Sequence, residues 1–191
     1  SNIVDATNYA MLEWGEPLHA FDYDILVKRA GGKAPIISTR TAKQGEKLIT
    51  LDGEERELDD FTTLVCDEKG ALALAGVMGG LESEINDNST TVLLEGAHWN
   101  LINTRKTLSS QKLSSEAGYR FARGVHPEIA PRGILRCLEL MRQWSGGTVY
   151  EGLVDEYPLP HEDPTVVVTP NDVKRSLGIE LSPHEIGDIL S

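Results

Sequence analysis

The sequence predicts an α+β domain, with a mixed, largely antiparallel β core and flanking helices. Two observations lead there. Residues 36–77 carry two hairpin signals in succession, and helix-like stretches stand on either side, at 5–14 before them and at 100–112 and 127–144 after them. The 191 residues are 40% hydrophobic and 25% charged, an ordinary globular balance that can bury a substantial core.

The elements follow in chain order. Residues 5–14 read as a helix stopped by Gly15 and Pro17, which places His19 on a short, partly extended segment between Leu18 and Ala20. Ile36, Ile37 and Ser38 suggest a short strand. Leu48 to Leu51, the pair Asp52-Gly53, and Glu54 to Leu58 form the first hairpin signal, because Asp-Gly suits the turn that matches strand twist. Thr62 to Cys66 and Ala71 to Ala75, separated by Asp67-Glu68-Lys69-Gly70, form the second. Gly76-Val77-Met78-Gly79-Gly80 packs three glycines into five residues, the mark of a special backbone. Thr91 to Leu94 reads as an apolar strand that ends at Glu95.

Asn100 suits the cap of the helix at 100–112. Ser114 to Val125 reads as an irregular, polar and basic loop. Pro127 to Trp144 is the clearest helix, with Ile129, Ile134, Leu135, Leu138 and Met141 on one stripe and Gly146-Gly147 behind it. Thr148 to Val154 is expected to be a strand. These elements place a first domain over residues 1–157. The proline- and acid-rich residues 158–164 read as a linker, and residues 165–191 as the truncated start of a small helical module. In that module Thr165 to Val168 suggests a strand, Thr169-Pro170 opens a helix that Gly178 closes, and Ser182-Pro183-His184-Glu185 has capping-box spacing. The start at Ser1 without Met, and the stop at Ser191 in a helix-like run, are what a piece of a longer chain would show.

Composition narrows the function. The formal charge is −12, whereas a protein that grips nucleic acid by itself needs a basic face. A pocket that receives one nucleic-acid end, held elsewhere by a larger protein, remains compatible with that charge. No apolar run reaches membrane-helix length and no basic-then-apolar leader opens the sequence, so no membrane partner is expected and a cytoplasmic location is. Cys66 and Cys137 sit among apolar residues without ligand spacing and read as reduced core thiols. No metal-ligand cluster, phosphate-binding Gly-Lys-Ser/Thr loop or Gly-x-Ser-x-Gly elbow is present in the sequence.

Three features stand out. Glu95 is either a pocket acid that reads a ligand or a strand-end charge facing water. In an apolar pocket it would accept a hydrogen bond from a phenol and penalise a ligand without that hydroxyl. His19 is either a satisfied structural residue or an imidazole that positions substrate or water. The glycine cluster, together with Ser114-Ser115-Glu116-Ala117-Gly118, either leaves room for a ligand or serves close packing.

Asn2-Ile3-Val4-Asp5-Ala6-Thr7-Asn8-Tyr9, Gly15-Glu16-Pro17-Leu18-His19-Ala20-Phe21-Asp22, Ala75 to Gly80, Leu93-Leu94-Glu95, and Ser114 to Val125 occur in an order and spacing that closely resemble the editing domain of the phenylalanyl-tRNA synthetase β subunit. The resemblance covers residue 1 to about 157, and the tail from Thr165 resembles the start of the domain that follows. It implies hydrolysis of tyrosine wrongly esterified to tRNA(Phe). Glu95 would read the phenolic hydroxyl and His19 would lie near the scissile ester. Thr7, Asn8 and Ala20 would line the amino-acid pocket, Gly76 and Gly79 would give close backbone walls, and Ser115 and Ala117 the opposite side. It also implies the tRNA(Phe) acceptor end and the α subunit of an α2β2 enzyme as partners, and tyrosine as the editing ligand. ATP and Mg would serve the full enzyme, with no cofactor in this part. Glu16, Gly118, Ala122 and His126 stand where glutamine, serine, glutamate and aspartate are usual. No nucleophile–base pair is visible, so the expected chemistry is direct attack by positioned water. The competing expectations are a non-catalytic scaffold or tRNA-docking domain and a free-standing esterase.

Overall fold

The computed structural model describes residues 1–160, 162 and 165–191. They divide into two compact units, Ser1–Gly152 and Leu153–Ser191. The first is an α+β domain whose described strands pair antiparallel throughout.

Helix α1 (Asn2–Trp14) ends where Gly15 takes a left-handed φ of 76° and returns its N–H to the Met11 carbonyl. Pro17 then forces an extended exit, and β1 (Leu18–Asp22) begins at once. β1 pairs with β8 (Val92–Gly96), so that His19 lies opposite Glu95 and Phe21 opposite Leu93. Side chains alternate along both strands. Leu18 and Leu94 face one way, onto Ala6 and Ala10 of α1 and onto Cys137, Leu140 and Met141 of α5 (Ala130–Ser145). Phe21 and Leu93 face the other way, onto Val65, Leu72, Ala73 and Ala75.

Val65 lies on β5 (Thr63–Cys66), and Leu72 and Ala73 on β6 (Ala71–Leu74). With β2 (Ser38–Thr41) and β7 (Met78–Gly79) these strands form a four-stranded sheet in the order β2-β5-β6-β7. The domain is therefore layered, with helices α1 and α5, then the β1–β8 ribbon, then the four-stranded sheet. A separate hairpin, β3 (Lys47–Ile49) with β4 (Glu55–Glu57), joins the rim of that sheet through a Thr50–Gly80 bridge.

Helix α2 (Tyr23–Arg29) has no counterpart among the sequence-based expectations. Asp22 caps it by accepting from the Ile25 N–H at 3.0 Å, and Arg29 makes a two-pronged ion pair with the buried Asp67 in the β5–β6 turn. Helix α3 (Leu101–Ser110) is capped by Asn100, as its sequence suggests.

Three expectations need correction. Residues 114–125 contain a short helix, α4 (Glu116–Phe121), because Ser115 caps it and buried Phe121 anchors it. Two stretches expected to be strands, Thr148 to Val154 and Thr165 to Val168, are not, since among the described residues neither finds a partner ladder for its backbone. Tyr150 and Val167 are each 82% exposed. The strand expected to start at Ile36 starts at Ser38, where pairing with Cys66 begins.

In the second unit, α6 (Pro170–Leu177) and α7 (Pro183–Leu190) each open on a complete capping box, Thr169 with Asp172 and Ser182 with Glu185. His161, Asp163 and Pro164, within the stretch expected to be a linker, lie outside the described residues. No helix among the described residues is long and apolar enough to cross a membrane.

Candidate ligand-binding site

The β1–β8 ribbon and the four-stranded sheet do not close completely on each other. Between them lies a cavity of about 210 Å³, lined mainly by apolar side chains. It suits one amino-acid side chain and is smaller than pockets for drug-sized ligands, which run to several hundred Å³.

His19 and Glu95 border it together. Their Cα positions are partners in the β1–β8 register, and directly opposed residues of an antiparallel pair project from the same face. Glu95 is half-buried as a residue, yet its Oε2 reaches no solvent and has no hydrogen-bond partner. Burial alone pushes its pKa up to about 7. Burial also pushes His19 down to about 4, so the imidazole is neutral at physiological pH. The His19 ring packs edge-on against Phe21, with centroids 4.4 Å apart. The site thus pairs a neutral imidazole with an acid poised between its two protonation states, in an apolar surround where an unsatisfied polar atom is costly.

The glycine cluster admits two of these walls. Gly79 on β7 faces the imidazole, and a Cβ there would lie 2.5 Å from His19 Cε1 and 2.9 Å from Nε2. Leu51 donates its N–H to the Gly79 carbonyl at 3.0 Å and so joins the rim. Gly79→Ala is therefore expected to expel the His19 ring from its seat and shrink the cavity. The His19 ring resonances in a proton–nitrogen spectrum check this. An unchanged imidazole environment would show that the backbone yields instead.

Of the residues expected in the pocket, His19, Gly76, Gly79, Glu95, Ser115 and Ala117 border the cavity. Ser115 is already committed, since its hydroxyl donates to the Val77 carbonyl at 2.7 Å and accepts from the Gly118 N–H at 3.0 Å. It positions α4 and is not a free nucleophile. Thr7, Asn8 and Ala20 do not border the cavity. Thr7 and Asn8 ride on α1, the former donating to the Val4 carbonyl and the latter exposed. Ala20 alternates with His19 and Phe21 and so faces the other side of the ribbon. Trp99, Phe121, Leu51 and Pro17 border the cavity without having been singled out. The signal for Trp99 was a large aromatic four residues beyond the strand-end acid.

Among the described residues no group of three or more His, Cys, Asp or Glu side chains could hold a metal. Cys66 and Cys137 are both free and buried, and desolvation pushes the Cys137 thiol up to about 12.

The antiparallel ribbon and sheet of this α+β domain enclose a small apolar hollow with one unpaired acid, and the chain belongs to the B3/4 domain family, whose profile matches residues 1–146. Over its whole length it is also similar to phenylalanine–tRNA ligase β subunits. Identity is 42% over 190 residues with that of Moorella thermoacetica, 41% over 189 with that of Halalkalibacterium halodurans, and 40% over 191 with that of a Bacillus cereus strain. These alignments cover 100%, 99% and 100% of the chain. The chain spans 23% of the length of each of these curated relatives.

Proposed function

We propose that this domain edits for a phenylalanine–tRNA ligase by hydrolysing tyrosine esterified to tRNA(Phe). One observation carries the reading. Glu95 holds a buried, unpartnered carboxyl oxygen at an apolar cavity, directly across the strand pair from His19. A phenolic hydroxyl would satisfy that oxygen, while a phenylalanine ring would leave it desolvated and unpaired. The asymmetry suits a second sieve. An apolar synthetic pocket cannot strongly reject an added hydroxyl, whereas a site that demands the hydroxyl can reject the analogue lacking it.

In the reaction water adds to the ester carbonyl, the tRNA ribose oxygen leaves with a proton, and free tyrosine is released. Glu95 fixes the ring and thereby the ester. His19, neutral and at the cavity wall, orients the substrate or the attacking water by hydrogen bonding; with a pKa near 4 it is a weak base at neutral pH. The rest of the ligase would deliver the tRNA acceptor end, which fits a chain whose net charge of −12 gives it little hold on nucleic acid. The α subunit, ATP with Mg, and a cytoplasmic setting belong to that larger enzyme in this proposal, as does a role for residues 165–191 as the start of its next domain.

The test is ligand choice. L-tyrosine is expected to bind about 10- to 100-fold more tightly than L-phenylalanine by calorimetry, the range for a hydrogen bond to a charged group. A crystal soaked with tyrosine should place the phenol beside Glu95. Equal affinities, or a ring seated away from Glu95, would reject the assignment.

A further inference from the structure

We infer that Trp99 is a specificity-determining residue, a rigid wall that restricts the cavity to flat aromatic side chains. The inference rests on the cavity being the amino-acid pocket proposed above, and adds a selection for ring shape that is independent of the hydroxyl.

The geometry holds Trp99 from two sides. The indole packs on the core formed by Phe21, Val65, Ala73 and Ala75. On another side lies Gly76, where a Cβ would come within 2.5 Å of Trp99 Cδ1, 3.0 Å of Cγ and 3.0 Å of Phe121 Cδ2. Gly76 also has a φ of 68°, which L side chains rarely adopt. Only a bare backbone lets the indole lie this close. Trp99 is partly exposed, yet contact on these two sides restricts its rotamers, so it presents a defined surface to the cavity it borders.

Aromatic pairs gain beyond the area they bury when their rings stack offset or meet edge to face. A planar ligand ring can take such an arrangement against Trp99 and its neighbour Phe121. A branched or flexible aliphatic side chain gains only burial and must fit beside a wall that does not move. Two determinants then act separately: Glu95 selects the hydroxyl and Trp99 selects the ring.

The experiment compares ligands in a protein whose other tryptophans, Trp14 and Trp144, are replaced by Phe, so that fluorescence reports Trp99 alone. L-tyrosine should change the emission on saturation, and calorimetry should show tyrosine preferred over L-methionine. In Trp99→Leu the tyrosine-over-methionine ratio should fall about tenfold, while the tyrosine-over-phenylalanine ratio holds because Glu95 is intact. Trp99→Phe should restore much of the ring preference. An unchanged tyrosine-over-methionine ratio in Trp99→Leu overturns the inference and leaves the proposed function standing. Absence of tyrosine binding to the unsubstituted protein sinks both. If Trp99→Leu does not fold, the emission measurement decides alone, and no change at saturating tyrosine overturns the inference.

Discussion

In a phenylalanine–tRNA ligase containing this domain, Glu95→Ala is expected to slow release of tyrosine from mischarged tRNA(Phe) by on the order of 100-fold, with phenylalanine attachment nearly unchanged. The size follows from where the acid sits. Its Oε2 has no protein partner and no solvent, so its one gain comes from a ligand donor. Alanine removes that acceptor and leaves an apolar hollow that holds tyrosine no better than phenylalanine. Glu95→Gln should keep part of the activity, because an amide oxygen still accepts from a phenol. With the free acid's pKa pushed up to about 7, the carboxylate that accepts best is the minor form below neutrality. Tyrosine affinity should therefore rise as pH increases through about 7 and level off above it, with protons released on binding near and below pH 7. Deacylation rates and calorimetry in buffers of different ionisation heat check both statements. Undiminished deacylation by Glu95→Ala would end the editing proposal.

The second large effect concerns stability. Glu16 is 1% exposed, with Gly133 of α5 pressed so close that a Cβ there would lie 2.9 Å from its Cβ and Cγ. Neither carboxyl oxygen has a well-formed hydrogen bond. Burial pushes its pKa up to about 8, against a small opposing contribution from the Ala97 backbone. An unfolded chain ionises this acid near 4.5 while the folded one keeps its proton to about 8. The folded state thus binds more protons across that window, and stability must fall as pH rises from 4.5 to 8. Each pH unit is worth about 1.4 kcal/mol, so a loss of roughly 3 kcal/mol is expected after relaxation around the acid, a sizeable share of the total for a domain. Glu95 adds to the same trend up to about pH 7.

Glu16→Gln carries no ionisable proton and nearly the same shape. It should match the unsubstituted protein at pH 4.5 and exceed it at pH 8.5, raising the thermal midpoint there by several degrees. Urea midpoints of the two proteins across this range give the comparison. Parallel pH curves would mean that Glu16 is ionised in the fold and that Ala97 or an ordered water supports it.

Much of the fold was readable from local chemistry. Gly15 with Pro17, Asn100, Asp52-Gly53, Ser182 with Glu185, and the runs Thr62 to Cys66 and Ala71 to Ala75 on either side of Asp67-Glu68-Lys69-Gly70 each act within a few residues, and each gave its element. The misses share a cause. Strands at 148–154 and 165–168 had β-like composition, but a strand exists only if another strand pairs with it, and no local pattern states that. Helix α4 was too short to display a period, and Ser115 was recognisable as its cap only once Gly118 and Val77 were seen around it.

By itself the sequence determined the α+β class, the placement of most helices and hairpins, and the two side chains, His19 and Glu95, on which the proposed chemistry turns. Those depend on turn residues, caps, periodicity and a resemblance carried by short motifs. Tertiary structure alone decided that His19 and Glu95 are register partners, that Thr7, Asn8 and Ala20 lie away from the hollow, that Trp99 walls it, and that Glu16 is buried without a partner. Each of these is a relation between segments dozens of residues apart. Such relations are set by strand register and layer packing, where a shift of one residue would turn every side chain of a strand to its other face.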